Sequence, residues 1–463
     1  MRQGRFSFLP AGESPRFLDR LAGLEQVITP DVVRQCLCET GRDGQRNCEL
    51  NHEVMMWIVL AMGMFTEVPI RQVFKCSRFS RTGEATPSRF ALCHGRKRLG
   101  IAPVRRLHHH VVRPVAQSCS RGAFYHGYRL MGIDSTVYDL SDTEANEAAF
   151  GRPSGGHRGP GAFPQLRKVS LVELGTHVET AFVLKPCRRN ETVAVPALLK
   201  RLPADALLLT DRGFFSYSLW KNSLSRGIQL LGRVPQNSIL APLETFSDGS
   251  FLAKIYPSWQ ARRHDQQGIV VRAIRYTLDE PQRTGHGEKH VLITSFLDAD
   301  SHPAEELILL YHQRWEHESV FDEQKTHHDP QRAHKPAQLR SQTPAGVVQE
   351  MYAMSLGHFV VRSLMHQAAR TEDVDPDRLS FTGCFQILRC RLPECDGSTV
   401  ATLRTWYEAL LWEMSNERCD PKRNRINPRV IKRKMSNWPK KRPQHRRPPQ
   451  PTKTFRQSIV TLH

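Results

Sequence analysis

Tyr311, Arg314, Glu318 and Lys325 lie in the stretch YHQRWEHESVFDEQK and bring together an aromatic hydroxyl, a guanidinium, a carboxylate and an ammonium. At about 100° per residue in an α-helix, the four fall within an arc of roughly 60°. Leu309, Leu310, Val320 and Phe321 occupy a separate apolar sector suited to a core. One face of a single helix would thus present an acid flanked by two cations. Two further acids follow apolar, β-prone runs: Asp134 after LMGI and Asp211 after LLLT. A carboxylate at the close of a buried strand is rigidly aimed yet reaches the rim of the sheet. If Asp134, Asp211 and Glu318 meet, their repulsion requires a cation between them. Oxygen donors of this kind suit Mg2+ or Mn2+. Two such ions, about 3.5–4 Å apart, would activate a nucleophile on one side and stabilise a leaving oxygen on the other, which is phosphodiester chemistry. Arg314 and Lys325 then stand where they would hold phosphates, and Tyr311 where it would bond a phosphate or stack on a base. Asp139, Asp142, Asp205 and Asp322 lie close to these acids in sequence and read as caps, turn residues or solvated charges. Asp322 shares the helical face of Glu318.

The elements that must position these groups are legible in outline. Residues up to about 120 read as helical. NHEVMMWIVLAMGMF opens with Asn51 as an N-cap and Glu53 in the first turn. TPSRFALCHGRKRLG has Thr86 as cap, Pro87 at the first helical position and Gly100 at the end. Its Arg96, Lys97 and Arg98 form a basic patch that fits either a DNA-recognition helix or compensation of the helix dipole. From Arg129 the pattern turns to strands. YRLMGIDSTVYDL reads as one strand, RKVSLVELGTHVETAFVLKP as two joined at Gly175, and FGRPSGGHRGPGAFPQ between them as a loop. A helix capped by Asn190, the strand before Asp211, a second helix and the strand IQLLGRV follow. This order predicts an α/β fold with a mixed sheet flanked by helices. FLAKIYP, GIVVRAIRYTL and KHVLITSFL add strands between about 237 and 292, and AGVVQEMYAMSLGHFVVRSLMHQAA a long apolar helix.

Composition narrows the partners. Across 463 residues, Lys and Arg number 66 against 46 Asp and Glu, a net charge of +20 that calls for a polyanion. The longest apolar run, Val54–Phe65, is too short to span a bilayer, and the N-terminal stretch lacks the apolar core of a signal peptide. No membrane association is expected, and the protein is expected to stay in the cytoplasm with the nucleoid. The eleven cysteines form no CxxC pair and read as reduced thiols. His108, His109 and His110 after Arg105 and Arg106 read as a basic turn facing solvent or DNA. The Pro-rich, basic end of the chain suits phosphate contact.

The chain resembles the bacterial insertion-sequence DDE transposases of the insertion-element-four family. Their third carboxylate lies in a Tyr-x2-Arg-x3-Glu-x6-Lys signature, matched here by Tyr311, Arg314, Glu318 and Lys325. GIDSTVYDL and LLLTDRGFFS resemble the strands of the first two aspartates, and the likeness extends from the N-terminal helices to about residue 370. The resemblance implies a ribonuclease-H-like core with a β-strand insertion, which agrees with the 107 residues separating Asp211 from Glu318. It divides the chain into a helical DNA-binding region (1–120), a catalytic core in two parts (121–236 and 293–345), the insertion (237–292), a helical region (346–418) and a basic tail (419–463). The implied activity is cut-and-paste transposition on double-stranded DNA, at the element's terminal inverted repeats and at a target, with a dimer assembled on DNA. Asp134, Asp211 and Glu318 would hold two Mg2+ or Mn2+ ions, and Tyr311, Arg314, Lys325, Arg96 and Arg98 would touch DNA. A hairpin intermediate would need an aromatic platform for an extruded base, for which Trp315 and Trp259 are candidates. The readings that compete are a domesticated, non-catalytic DNA-binding protein and a general nuclease on the same fold.

Overall fold

The computed structural model describes residues 19–43, 50–77, 86–154, 161–277, 288–328, 338–395 and 399–419. Among the described residues a 3-10 helix (Asp19–Gln26) comes first, followed by five α-helices: α1 (Pro30–Glu39), α2 (His52–Met64), α3 (Ile70–Cys76), α4 (Arg89–Leu99) and α5 (Ala102–Val111). Asn51 caps α2 as expected, accepting from the Val54 amide at 2.9 Å. Eleven residues of α2, Val54–Met64, are buried, so the helix is apolar on all sides because it is enclosed on all sides. The cap of α4 is Ser88, which accepts from Ala91 N–H at 3.1 Å, and not Thr86. Gly100 ends the helix with φ +76°, a conformation that favours glycine.

The sheet begins with β1 (Phe124–Tyr125) and β2 (Tyr128–Leu140), followed by α6 (Glu144–Phe150), β3 (Gln165–Glu173) and β4 (Val178–Pro186). A short 3-10 turn capped by Asn190 leads into α7 (Val195–Leu199). Then come β5 (Ala206–Thr210), α8 (Tyr217–Leu224) and β6 (Gln229–Arg233). Strands β2, β3 and β4 form an antiparallel meander, while β5 runs parallel to β2 and β6 parallel to β5. The order β4-β3-β2-β5-β6 with these directions is a ribonuclease-H-like core. Every residue of β5 is buried, as a central parallel strand covered on both faces must be.

Next in the chain are β7 (Glu244–Thr245), β8 (Phe251–Ile255), α9 (Trp259–Arg263), β9 (Ile269–Tyr276) and β10 (His290–Thr294). They extend the same sheet, because β10 pairs antiparallel with β6 and β9, β8 and β7 follow outward. The stretch expected as one signature helix is broken. It comprises α10 (Ala304–His312), α11 (Trp315–Asp322) and a π-helical turn, Glu323–His327. Tightened bonds from Arg314 N–H to Tyr311 O and from His317 N–H to Arg314 O mark the break.

After β11 (Gln338–Leu339), which pairs parallel with β2, comes α12 (Pro344–Thr371). With 28 residues it is about 42 Å long. Helices α13 (Phe381–Arg391) and α14 (Val400–Asn416) complete the described chain. One hydrophobic cluster joins α1 to α5 with α12, α13 and α14. Helices α2 and α12 cross closely at two glycines. A Cβ on Gly357 would stand 2.8 Å from the Gly63 carbonyl oxygen. No helix among the described residues is long and apolar enough to cross a membrane. The basic tail lies outside the described residues from 420 onward.

Buried histidines give this core a signed response to acid. His108 is buried and bonds Ser355 Oγ at 3.0 Å, so it does not belong to a surface basic turn. Burial holds its imidazole well below the usual value, and burial lowers His328 to about 3. Both groups are depressed in the folded chain. Their stabilisation is complete above the unfolded value near 6.5 and is lost as pH falls below it, by about 1.4 kcal/mol per histidine per pH unit. Urea midpoints measured at pH 7.5, 6.5 and 5.5 should therefore hold between the first two and drop at the third. An equal or higher midpoint at pH 5.5 would contradict this assignment.

Candidate active site

Strand register brings the first two aspartates together. Ile133 on β2 lies beside Thr210 on β5, so the next residues, Asp134 and Asp211, emerge at one level. Asp134 was expected at a strand end, yet β2 continues to Leu140. It is β5 that stops, at Thr210, and this opens the flank beside Asp134. Helix α11 delivers Glu318 from above. Gly132 makes that approach possible, since a Cβ there would meet His317 Nδ1 at 3.0 Å.

Two of the acids bond Arg314, and the third, Asp211, lies close enough for its charge to act on it. Its guanidinium donates to Asp134 Oδ2 at 3.2 Å and to Glu318 Oε1 at 3.4 Å. Burial pushes the Asp134 carboxyl up to about 6, against the pull of Arg314 and of the Ser135 amide, and the charges of Asp211 and Glu318 push it further the same way. Burial would lower the Arg314 pKa, but Tyr311, Asp211, Asp134 and Glu318 outweigh it and raise the value. The site is therefore anionic, and its carboxylates are partly neutralised by one cation of the chain's own. Among the described residues no group of three or more acidic, histidine or cysteine side chains is gathered closely enough to hold a metal ion as it stands. The donor chemistry, hard carboxylate oxygens short of positive charge, fits Mg2+ or Mn2+. The Arg314 guanidinium, bonded to Asp134 and Glu318, supplies in this structure the positive charge that such an ion would bring.

The other signature residues divide. Lys325 donates to Thr136 Oγ1 at 2.8 Å and lies 5.2 Å from the centroid of the Tyr138 ring. It thus stands two residues along β2 from Asp134. Tyr311 is buried among Leu130, Leu207, Leu209 and Leu307, so its ring cannot stack on a base in this conformation. Its buried hydroxyl has no hydrogen-bond partner among the described residues and lies close enough to Asp211 and Arg314 to feel both charges. Trp315 is 45% exposed and packs beside Arg314, 6.0 Å from guanidinium carbon to ring centroid. Trp259 on α9 is 67% exposed, with Arg263 over its ring at 5.7 Å.

Arg96 is not on the outer face of α4. It donates to Gln349 Oε1 at 2.9 Å and to the Gly346 carbonyl at 2.5 Å, fastening α4 to α12. The exposed cations of that helix are Arg89, Lys97 and Arg98, beside His94 and Phe90. Arg98 also reaches the Leu50 carbonyl at 3.5 Å. Asp139 accepts from Gln165, Asp142 pairs with Arg152, Asp205 with Arg129 and Asp322 with His327, so each competing acid has a partner outside the cluster.

Sequence reasoning passed over Glu191. Its carboxylate accepts from Ser135 Oγ and from Arg167 Nη1, the latter at 3.4 Å. It also abuts Gly213, where a Cβ would lie 2.8 Å from Glu191 Oε1. Glu191 thereby ties the strand of Asp134 to the turn after Asp211. Only its place just after the Asn190 cap was visible in the sequence.

Comparison with known proteins adds family relationships. Residues 18–109 match the family described as Insertion element 4 transposase N-terminal, and residues 125–343 match Transposase DDE domain. The chain is 27% identical over 431 residues to the transposase InsG for insertion sequence element IS4 of Escherichia coli (strain K12), covering 90% of this chain and 93% of the relative. Among solved structures it is similar to a piggyBac transposase in a synaptic complex with hairpin DNA, at 12% identity. That alignment covers 89% of this chain and 87% of the other, with a TM-score of 0.45.

Proposed function

This chain is a DDE transposase of the insertion-element-four family, and on that premise we propose that it moves its element by cut-and-paste transposition through the cluster of Asp134, Asp211 and Glu318. Water attacks the phosphodiester at the element's end and leaves a 3′-hydroxyl. That hydroxyl attacks the opposite strand and closes a hairpin, which a second water reopens. The same 3′-hydroxyl then attacks target DNA. Each step exchanges one phosphorus–oxygen bond for another, so no covalent protein–DNA intermediate is required.

Asp134, Asp211 and Glu318 hold and orient two Mg2+ or Mn2+ ions, which when bound supply a polarised nucleophile and neutralise charge at the leaving oxygen. Arg314, displaced from the carboxylates, pairs with the phosphate that replaces them, and Lys325 grips the next phosphate along β2. Tyr311 contributes its hydroxyl alone. Trp315 and Trp259 offer exposed rings to a base extruded at the hairpin. Lys97 and Arg98 on α4, with the N-terminal helices around them, hold duplex DNA. Two chains assemble on a pair of DNA ends, in the cytoplasm beside the nucleoid.

The observation that supports this reading most is the bonding of Arg314 to both Asp134 and Glu318, with Asp211 close enough for its charge to act on Asp134 and Arg314. The test is cleavage of supercoiled DNA carrying the element's inverted ends. Mg2+-dependent cutting confined to those ends, with a hairpin on denaturing gels, is expected. Equal cutting of DNA without the ends would favour a general nuclease, and binding without cutting a domesticated protein.

A further inference from the structure

Glu323 opens the π-helical turn that directly follows α11, and its carboxylate is buried. Arg362 of α12, itself 1% exposed, grips it with two nitrogens: Nε donates to Oε2 at 2.9 Å and Nη2 to Oε1. His358, one helical turn earlier on α12, bonds Glu323 Oε2 at 2.9 Å. His177, in the β3–β4 connection, lies 3.3 Å from Glu323 Oε1 and accepts from Arg362 Nη2 at 2.8 Å. The other nitrogen of His177 stands 3.5 Å from both Glu316 on α11 and Asp377. His177 has φ +59°, a left-handed conformation seldom adopted by residues other than glycine, so the connection is bent to bring the imidazole here. The next residue of the turn, Gln324, enters a second buried chain. It accepts from Lys168 Nζ at 2.8 Å, and Lys168 pairs with Glu179 at 2.7 Å.

A buried ion pair is a poor source of stability, because desolvation offsets the attraction; its attested use is to select one geometry. A bidentate Arg–carboxylate pair fixes both position and orientation. This one holds a π-turn, a rare distortion that needs support from outside the helix. Glu318 precedes Glu323 by five residues, about 7.5 Å along the axis, and Lys325 follows it by two. The anchor therefore lies between the carboxylate that shares Arg314 with Asp134 and the cation that meets β2. We infer that Arg362 is a positioning residue for the active site: through Glu323 it sets the height and rotation of the turn that presents Glu318 and Lys325. Although it lies on α12, outside the sheet and its signature helix, it governs how well the carboxylates hold their ions once Arg314 has left. This rests on the reading of Asp134, Asp211 and Glu318 given above.

The experiment uses the full chain with Arg362→Lys, with Glu323→Gln/Arg362→Met, and with Glu318→Gln as control. The double variant removes both buried charges and so avoids leaving one unpaired, while the lysine variant keeps the charge without the fork. Three quantities are read: affinity for end DNA, nicking rate at saturating Mg2+, and calorimetric Mn2+ affinity of the complex with uncleavable end DNA, in which Arg314 has a phosphate to pair with. End binding should fall only a few-fold in both anchor variants, since Lys325 is one of several phosphate contacts. Nicking by the double variant should fall on the order of 100-fold, as displacement of reacting groups by about 1 Å produces. Mn2+ affinity should weaken about 10- to 100-fold, with the lysine variant intermediate. Amide exchange over residues 318–327 should quicken in step. Wild-type nicking and Mn2+ affinity in both anchor variants would overturn the inference, as would loss confined to end binding. If Glu318→Gln itself nicks normally, the reading of the site has failed instead.

Discussion

Replacing Asp134 with asparagine, Asp211 with asparagine or Glu318 with glutamine should each lower end cleavage by on the order of 10²–10³ or more, the range found when one preorganised charge-stabilising group is lost. The amides keep the size of the side chains and can still accept from Arg314, so the fold has no reason to change. What they remove is one negative charge from a site that burial and mutual repulsion already leave short of cations. DNA binding, carried by separate basic surfaces, should survive. Single-turnover cleavage of labelled ends, beside a gel-shift titration, separates the two. Normal cutting by any one variant removes that residue from the site and points to a neighbouring acid.

Lys168→Met should lower stability by about 3–5 kcal/mol, the cost of leaving a buried charge without its partner. Lys168 and Glu179 are 0% and 1% exposed and pair at 2.7 Å. Once the ammonium is gone, the Ser355 hydroxyl, which donates to Glu179 Oε1 at 2.7 Å, is the neighbour left to the carboxylate. Gln324 would lose its Lys168 donor and retain the Tyr138 hydroxyl at 3.1 Å. Denaturant unfolding gives the loss. Adding Glu179→Gln to Lys168→Met should return most of it, and a single variant as stable as the wild type would show that the pair contributes little.

Local signals in the sequence carried much of this architecture. The runs before Asp134 and Asp211 are short and apolar and each ends in a β-branched residue, Ile133 or Thr210, so both strands were legible, and Asn51, Asn190 and Gly175 stand where their side chain or lack of one predicts. The signature helix was legible as a face but not as a broken one. Helical periodicity treats Tyr311 and Arg314 as neighbours, whereas core packing turns the Tyr311 ring inward and the break at Gln313 and Arg314 lets the guanidinium reach β2. Arg96 illustrates the same limit: its spacing within α4 says nothing of Gln349, 253 positions later, which takes its charge inward. The partners of Glu323 lie on α12 and in the β3–β4 connection, distances along the chain that no local pattern encodes. One trace was present. Glu316 and Glu323 sit at about 140° and 120° on the helical wheel, against the apolar sector rather than with the signature residues, and acids bordering a core call for buried cations.

Transposition at this site requires Asp134, Asp211 and Glu318 to share divalent cations. Anomalous diffraction from crystals of the chain with end DNA, grown in Mn2+, addresses this directly. The predicted result is two Mn2+ peaks bounded by these three carboxylates, with the Arg314 guanidinium moved from between Asp134 and Glu318 onto a DNA phosphate. Full-occupancy DNA with no peak among the three acids, and Arg314 still paired to both, would contradict it.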